Sequence, residues 1–135
     1  MYHYNIALRK LNSVDKAFGA HSFMPLSNGF SLIATHQGLL FMQLNTDRIV
    51  NMISDEKFNN PLLNGLDLRK IKSDGYGNIW LATYTKGIYV IKSDGRVIKP
   101  KWDMITHNYR VLDIQSYNNK IVIAIDGFGL VFCDL

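Results

Sequence analysis

One unit occurs three times in this chain, and the length of its period limits the folds open to it. Gly29-Phe30-Ser31-Leu32-Ile33-Ala34-Thr35 lies over Gly77-Asn78-Ile79-Trp80-Leu81-Ala82-Thr83 at an offset of 48 residues. Phe23 then falls on Ile71, and Gly38 falls on Gly87 after a gap of one. Downstream, Ile121-Val122-Ile123-Ala124-Ile125 lies over Ile79 to Thr83 at an offset of 42, and Gly129 to Phe132 lies over Gly87 to Val90. The runs are short, rich in Ile, Val, Trp and Tyr, and bounded by Gly, Asp and Asn, which favours strands joined by tight turns. A strand-only repeat of roughly 40–50 residues is the period of propeller blades, and helical solenoids do not read this way.

The middle copy divides into four strands. Strand a is Leu66 to Lys72 and strand b is Asn78 to Thr83, with Ser73 to Asn78 supplying the turn. Strand c is Gly87 to Lys92, Ser93-Asp94-Gly95 makes a hairpin, and strand d is Arg96 to Trp102. Strands b and c are apolar on both faces, which an antiparallel strand with one wet side is not. A blade accounts for this, because both of its faces pack on neighbours. Strand d mixes Arg96, Lys99 and Lys101 with Val97, Ile98 and Trp102 and suits the outer rim. The competing architecture is an ordinary antiparallel sandwich.

At these residues the chain resembles the two-component regulator propeller repeat. Blades of that family carry an Asp, a Gly-Asn turn, an Ile-Trp strand, a small residue followed by Thr, and a Gly that opens an apolar or aromatic strand. The middle copy matches through Asp74, Gly77, Asn78, Ile79, Trp80, Thr83, Gly87, Ile88 and Tyr89. The first copy has Leu32 in place of the Trp; the third has Val122 there and Ile125 in place of the Thr. The resemblance covers Phe23 to Phe132. It implies the periplasmic sensor region of a hybrid two-component histidine kinase responding to glycan fragments. A propeller lyase acting on cyclic antibiotics shares part of the pattern.

The fold class expected is therefore all-β: about three four-stranded antiparallel propeller blades, incomplete or closed by self-association. The expected divisions are 1–19 (outer strand and linker), 20–53 (first blade), 54–65 (loop), 66–102 (second blade) and 103–135 (third blade, lacking its outer strand). Closed propellers have typically four to eight blades, so three leave apolar faces and edges to be covered. Tyr4 to Leu11 reads as one strand without the pattern of a signal peptide. Two readings follow: an array cut inside a blade, or a strand that completes the last blade of a symmetry mate in a six-bladed ring. Ile53 to Gly65 reads as a solvated loop, with a ligand-facing insertion as the alternative.

No segment approaches the ~20 apolar residues of a membrane span, so no membrane insertion by this chain is expected. The single Cys133 has no disulfide partner and reads as a small core residue of strand c. His3, His21, His36 and His107 are scattered without metal or catalytic spacing, and Gly75-Tyr76-Gly77 and Gly127-Phe128-Gly129 sit in hairpins instead of phosphate loops. No catalytic residue, metal or cofactor is expected, and the segment reads as non-enzymatic. The net charge of +4 has its densest stretches at Leu68 to Lys72 and Lys99 to Lys101, where apolar residues interleave. They read as solvated strand positions, and nucleic acid is not the expected partner.

A binding surface remains. In a blade the b–c and d–a loops share one face. That face would gather His36, Gln37, Tyr84, Thr85, Lys86, Asp126 and Phe128 from the b–c turns, and Asn64, His107, Tyr109 and Arg110 from the d–a segments. Aromatic faces beside Asn, Gln, Arg and Asp offer stacking and directional hydrogen bonds to an oligosaccharide or other small polar ligand. The leading function is thus a ligand-sensing propeller segment. A self-associating interaction scaffold comes second, with association or further blades as its partner, and a propeller lyase third.

Overall fold

The computed structural model describes residues 2–5, 10–13, 19–27, 29–43, 48–50, 60–102 and 108–134. The chain forms three antiparallel meander sheets and a separate hairpin. The first sheet runs in chain order through β3 (Ala20–Pro25), β4 (Phe30–Thr35), β5 (Gly38–Gln43) and β6 (Arg48–Val50). The second runs through β7 (Leu68–Ser73), β8 (Ile79–Thr83), β9 (Ile88–Ile91) and β10 (Val97–Ile98). The third has three strands, β11 (Val111–Tyr117), β12 (Lys120–Ile125) and β13 (Gly129–Asp134). Each sheet is one blade of the repeat.

The doubly apolar strands are explained by what lies on either side of them. Every residue of β8 is buried. Side chains alternate across a strand, so Ile79 and Leu81 face one way and Trp80 and Ala82 the other. Ile79 and Leu81 join Leu32, Ala34 and Phe41 of the first blade in one core, together with Leu68 and Ile71. Trp80 and Ala82 join Ile114, Ile121 and Ile123 of the third blade in a second core. The middle blade is the filling between two neighbours, as its sequence requires.

Strands β3, β7 and β11 stand beside one another as the first strands of adjacent blades. Ser22 accepts a bond from the Ile71 amide at 3.4 Å, and Lys70 reaches Asp113 at 3.7 Å. Each of the three strands carries a register shift near its start: between Ala20 and Ser22, between Leu68 and Lys70, and between Val111 and Asp113. The extra residue is His21, Arg69 or Leu112. A bulge re-aims the side chain that it carries, and the repeat sets this device at one place in all three blades.

Turn chemistry separates the copies. In the second blade Asp74 accepts four hydrogen bonds, from the Tyr76 amide (2.8 Å), the Asn78 amide (3.0 Å), the Asn78 side chain (2.7 Å) and the Trp80 indole (2.9 Å). Asp74, Asn78 and Trp80, three of the residues that carry the resemblance, thus form one buried knot. The third blade turns instead on Asn118 and Asn119, both at positive φ (46° and 59°), as a two-residue hairpin turn demands. At the b–c turns, Thr35 and Thr83 donate to the carbonyls of Gly38 (2.8 Å) and Gly87 (2.7 Å). Ile125 stands there in the third blade and cannot do so.

Three expectations need correction. Tyr4 to Leu11 is not one strand: β1 (Tyr2–Asn5) and β2 (Lys10–Ser13) pair with each other, with Tyr4 opposite Leu11. Pairing satisfies backbone groups that a lone strand would have to satisfy elsewhere. The second blade's outer strand is shorter than Arg96 to Trp102. Only Val97–Ile98 pairs with β9, Pro100 has no N–H to continue the ladder, and 101–102 turn in a 3-10 conformation. That turn lays Trp102 over Trp80, with ring centroids 6.3 Å apart and planes 15° from parallel. Finally, the end of the connection before the second blade is not simply solvated. Pro61–Leu63 form a 3-10 turn capped by Asn60, and Leu63 is buried in the core. Residues 51–59 of that connection lie outside the described residues. Cys133 does sit buried in β13, and burial raises its thiol pKa.

Candidate functional site

The b–c turns and the segments entering the a strands do meet at one end of the blades. The Tyr84 amide donates to the Asp67 carbonyl at 2.8 Å, and one blade on, the Asp126 amide donates to the Arg110 carbonyl at 2.9 Å. Both bonds join the first residue of a b–c turn to the residue before an a strand. In the first blade the same two places hold His36 and Gly19. A Cβ on Gly19, whose φ is +66°, would stand 1.9 Å from His36 Nδ1. Glycine is therefore required there, and the imidazole lies directly against its backbone.

Across the second and third blades this arrangement produces a chain of side chains. Asp67 Oδ2 accepts from Arg69 Nη2 at 2.7 Å. The Arg69 guanidinium lies over the Tyr84 ring, 4.5 Å from its centroid. Arg110 approaches the same ring at 5.8 Å and donates from Nη2 to Asp126 Oδ2 at 2.8 Å. Tyr109 and Phe128 continue the row with ring centroids 5.9 Å apart, and both rings are exposed. Exposed ion pairs of this kind add little to stability. Their effect here is to orient two guanidinium groups beside the Tyr84 ring.

Electrostatics distinguish the two ends of the row. On the first-blade side, His21 Nε2 lies 4.0 Å from Asp67 Oδ1. Burial and the nearby Arg69 charge lower the His21 pKa from its ordinary 6.5, while Asp67 opposes them. His21 is thus predominantly neutral at neutral pH. On the third-blade side, the hydrogen bond and charge of Asp126 raise the Arg110 pKa further. Between them, Asp67 Oδ1 and Arg69 Nε are buried polar atoms without a hydrogen-bond partner. Unsatisfied buried groups of this kind are uncommon and need a reason.

Of the residues expected from sequence, Tyr84, Tyr109, Arg110, Asp126 and Phe128 come together, and His36 flanks them through His21. Gln37, Thr85 and Lys86 are exposed on their turns. The backbone amides of Gln37 and Lys86 bond Thr35 (3.2 Å) and Thr83 (2.8 Å), and no contact ties their side chains to the row. Asn64 closes the 3-10 turn through its amide. His107 lies outside the described residues. Asp67, Arg69 and His21 are additions. Arg69 reads as a solvated strand residue when the strand is regular; the bulge turns it toward Tyr84. Laying Gly19-Ala20-His21 over Asp67-Leu68-Arg69 by the repeat offset would have flagged these positions. Among the described residues no group of His, Cys, Asp and Glu could hold a metal, and no helix is long and apolar enough to cross a membrane.

No family model matches this chain, and no curated protein matches it. Solved structures do. The extracellular domain of a hybrid two-component system from B. thetaiotaomicron matches with a TM-score of 0.68 at 19% identity, over 99% of this chain and 17% of its own length. A second such domain from the same organism matches with a TM-score of 0.71 at 14% identity, over 97% and 17%. Virginiamycin B lyase from Staphylococcus aureus matches with a TM-score of 0.51 at 14% identity, over 90% and 43%. The chain spans about a sixth of the length of the two-component domains. At these identities the likeness is one of fold, and the chain folds as blades of the propeller type found in those extracellular domains.

Proposed function

We propose that this chain is part of an extracytoplasmic, periplasmic ligand-sensing propeller of a hybrid two-component histidine kinase, and that it is not itself an enzyme. Its ligand is a small polar molecule, an oligosaccharide in the first instance. The reading is supported by the repeat resemblance, by the fold shared with two extracellular sensor domains, and by one observation above the others. A row of exposed rings and fixed guanidinium groups spans two blades and contains orphaned buried atoms at Asp67 Oδ1 and Arg69 Nε. Sugar hydroxyls are donors and acceptors in one group and match the carboxylates and guanidinium groups of the row, while Tyr109 and Phe128 offer stacking faces. A ligand held by both blades would bias their relative geometry and pass that bias to the signalling modules of the parent.

The test is calorimetric titration of the chain with a panel of neutral and acidic oligosaccharides. Binding of at least one, weakened tenfold or more by Tyr109→Ala and by Arg69→Gln, is the expected result. A panel without binders, or binding indifferent to both substitutions, would sink the reading.

A second reading is favoured by the outer face of the third blade. Leu130 and Phe132 alternate onto the face of the sheet away from the second blade and are each 62% exposed, and β13 has a free edge among the described residues. Such a face takes another sheet, either a further blade of the parent or a second copy. This is the interaction-scaffold alternative, and both readings are compatible in one protein.

A further inference from the structure

The a–b and c–d turns lie at the end of the blades opposite the aromatic row, and they carry a feature of their own. A groove of about 600 Å³ opens there between the second and third blades. Tyr76, Trp80 and Trp102 line it together with Lys92, Lys101 and Asp134. That volume lies within the range of small-molecule sites, which are about 300–1,000 Å³ and mostly apolar with a few placed polar groups.

The charges in the groove do not cancel. Asp134, its one acidic side chain, is held by Lys120 Nζ at 2.6 Å. Lys92 feels the Asp94 carboxylate, which Arg96 already binds at 2.7 Å. Lys101 has no ion pair among the described residues. The stacked indoles form a flat wall, with Trp80 fixed by its bond to Asp74 and Trp102 laid over it by the turn that ends the outer strand. A flat apolar wall beside two ammonium groups that make no ion pair of their own among the described residues complements a ring that carries a negative charge.

We propose that this groove is a second ligand site, and that it takes a small ring-bearing carboxylate. The ring lies against Trp102 and the carboxylate between Lys92 and Lys101. Both an aromatic acid and an acidic sugar satisfy that chemistry. The proposal does not rest on the reading of the opposite face, and none of its residues belongs to that row.

The two tryptophans of the chain both line the groove, so intrinsic indole fluorescence carries a signal from it. The experiment is fluorescence titration of the full chain with benzoate and with glucuronate, each beside its neutral twin, benzyl alcohol or glucose. The expected result is a saturable change with at least one carboxylate, at least tenfold tighter than its neutral twin. Response to benzoate alone assigns an aromatic acid, and response to glucuronate alone an acidic sugar. The double substitution Lys92→Gln/Lys101→Gln, with an unchanged circular dichroism spectrum, weakens the response tenfold or more. Lys101→Gln alone serves if the double variant unfolds. Neither carboxylate saturating, neutral twins binding as tightly, or indifference to loss of the lysines would each overturn the proposal. Tyr109→Ala leaves the titration unchanged, so failure here and failure at the opposite face are separable.

Discussion

The indole N–H of Trp80 donates to the Asp74 carboxylate at 2.9 Å across a separation of six residues, tying the start of strand β8 to the turn before it. Trp80 is also the hinge between that turn and the third blade, because its ring packs with Ile121 and Ile123. Trp80→Phe keeps a ring in the core and deletes the donor. The expected cost is about 1–3 kcal/mol, that of leaving a charged acceptor short of a partner. Urea denaturation measures it, and a loss within a few tenths would show that the bond is incidental.

The same carboxylate makes folding sensitive to acid. Burial pushes the Asp74 pKa up, but hydrogen bonds from Trp80, Asn78 and Tyr76 outweigh it and hold the value below the ordinary 3.8. A folded-state pKa lower than the unfolded one stabilises above the unfolded value, and that stabilisation disappears as pH falls through the folded value. Asp74→Asn should therefore melt well below the parent chain above about pH 4, with the gap narrowing on further acidification. Melting curves between neutral pH and the acid range decide it. A gap that stays constant to the lowest pH excludes the carboxylate as its source.

How much of this could be read beforehand differs by level. The blades were legible because a two-faced apolar strand such as Ile79 to Thr83 has few architectures that bury both sides, and because three copies repeat the pattern. Tyr84, Tyr109, Arg110, Asp126 and Phe128 were legible as a group because blade topology alone puts b–c turns and a-strand entries at one end. Arg69 was not. Its position depends on a one-residue register shift between Leu68 and Lys70, and no residue type announces a bulge. The N-terminal hairpin was missed for a related reason: Tyr4 to Leu11 has the apolar content of one strand, and its pairing is with itself. The shortening of the outer strand was foreshadowed by Pro100, which interrupts a ladder.

Leu81 and Leu130 are the same residue type on adjacent blades and should respond in opposite ways to truncation. Leu81 is fully buried between the first and second blades, whereas Leu130 is 62% exposed. Leu81→Ala removes packed atoms and leaves a cavity, at about 2–5 kcal/mol. In solution dilute enough to keep single chains apart, Leu130→Ala should change stability by no more than about 0.5 kcal/mol, as surface substitutions do. Comparable losses at both sites, measured by denaturant unfolding, would mean that Leu130 is covered in solution.

That outcome connects to the outer face of the third blade. Phe132 pairs in register with Val122, and Leu130 with Ala124. The four side chains therefore share one face, while Val131 and Cys133 on the other side pack toward the second blade. Tyr117 adds a further exposed ring to the same sheet. Water against such a surface costs roughly 25 cal/mol per Å² of apolar area, and a matching surface on a second copy relieves it. The chain should therefore associate at micromolar concentration. Leu130→Lys/Phe132→Lys should abolish association by placing like charges on both partners at unchanged core packing. Light scattering on a sizing column gives the mass of each. A parent chain that elutes as a monodisperse monomer would mean that this face is tolerated in water, and the interaction-scaffold reading would fall with it.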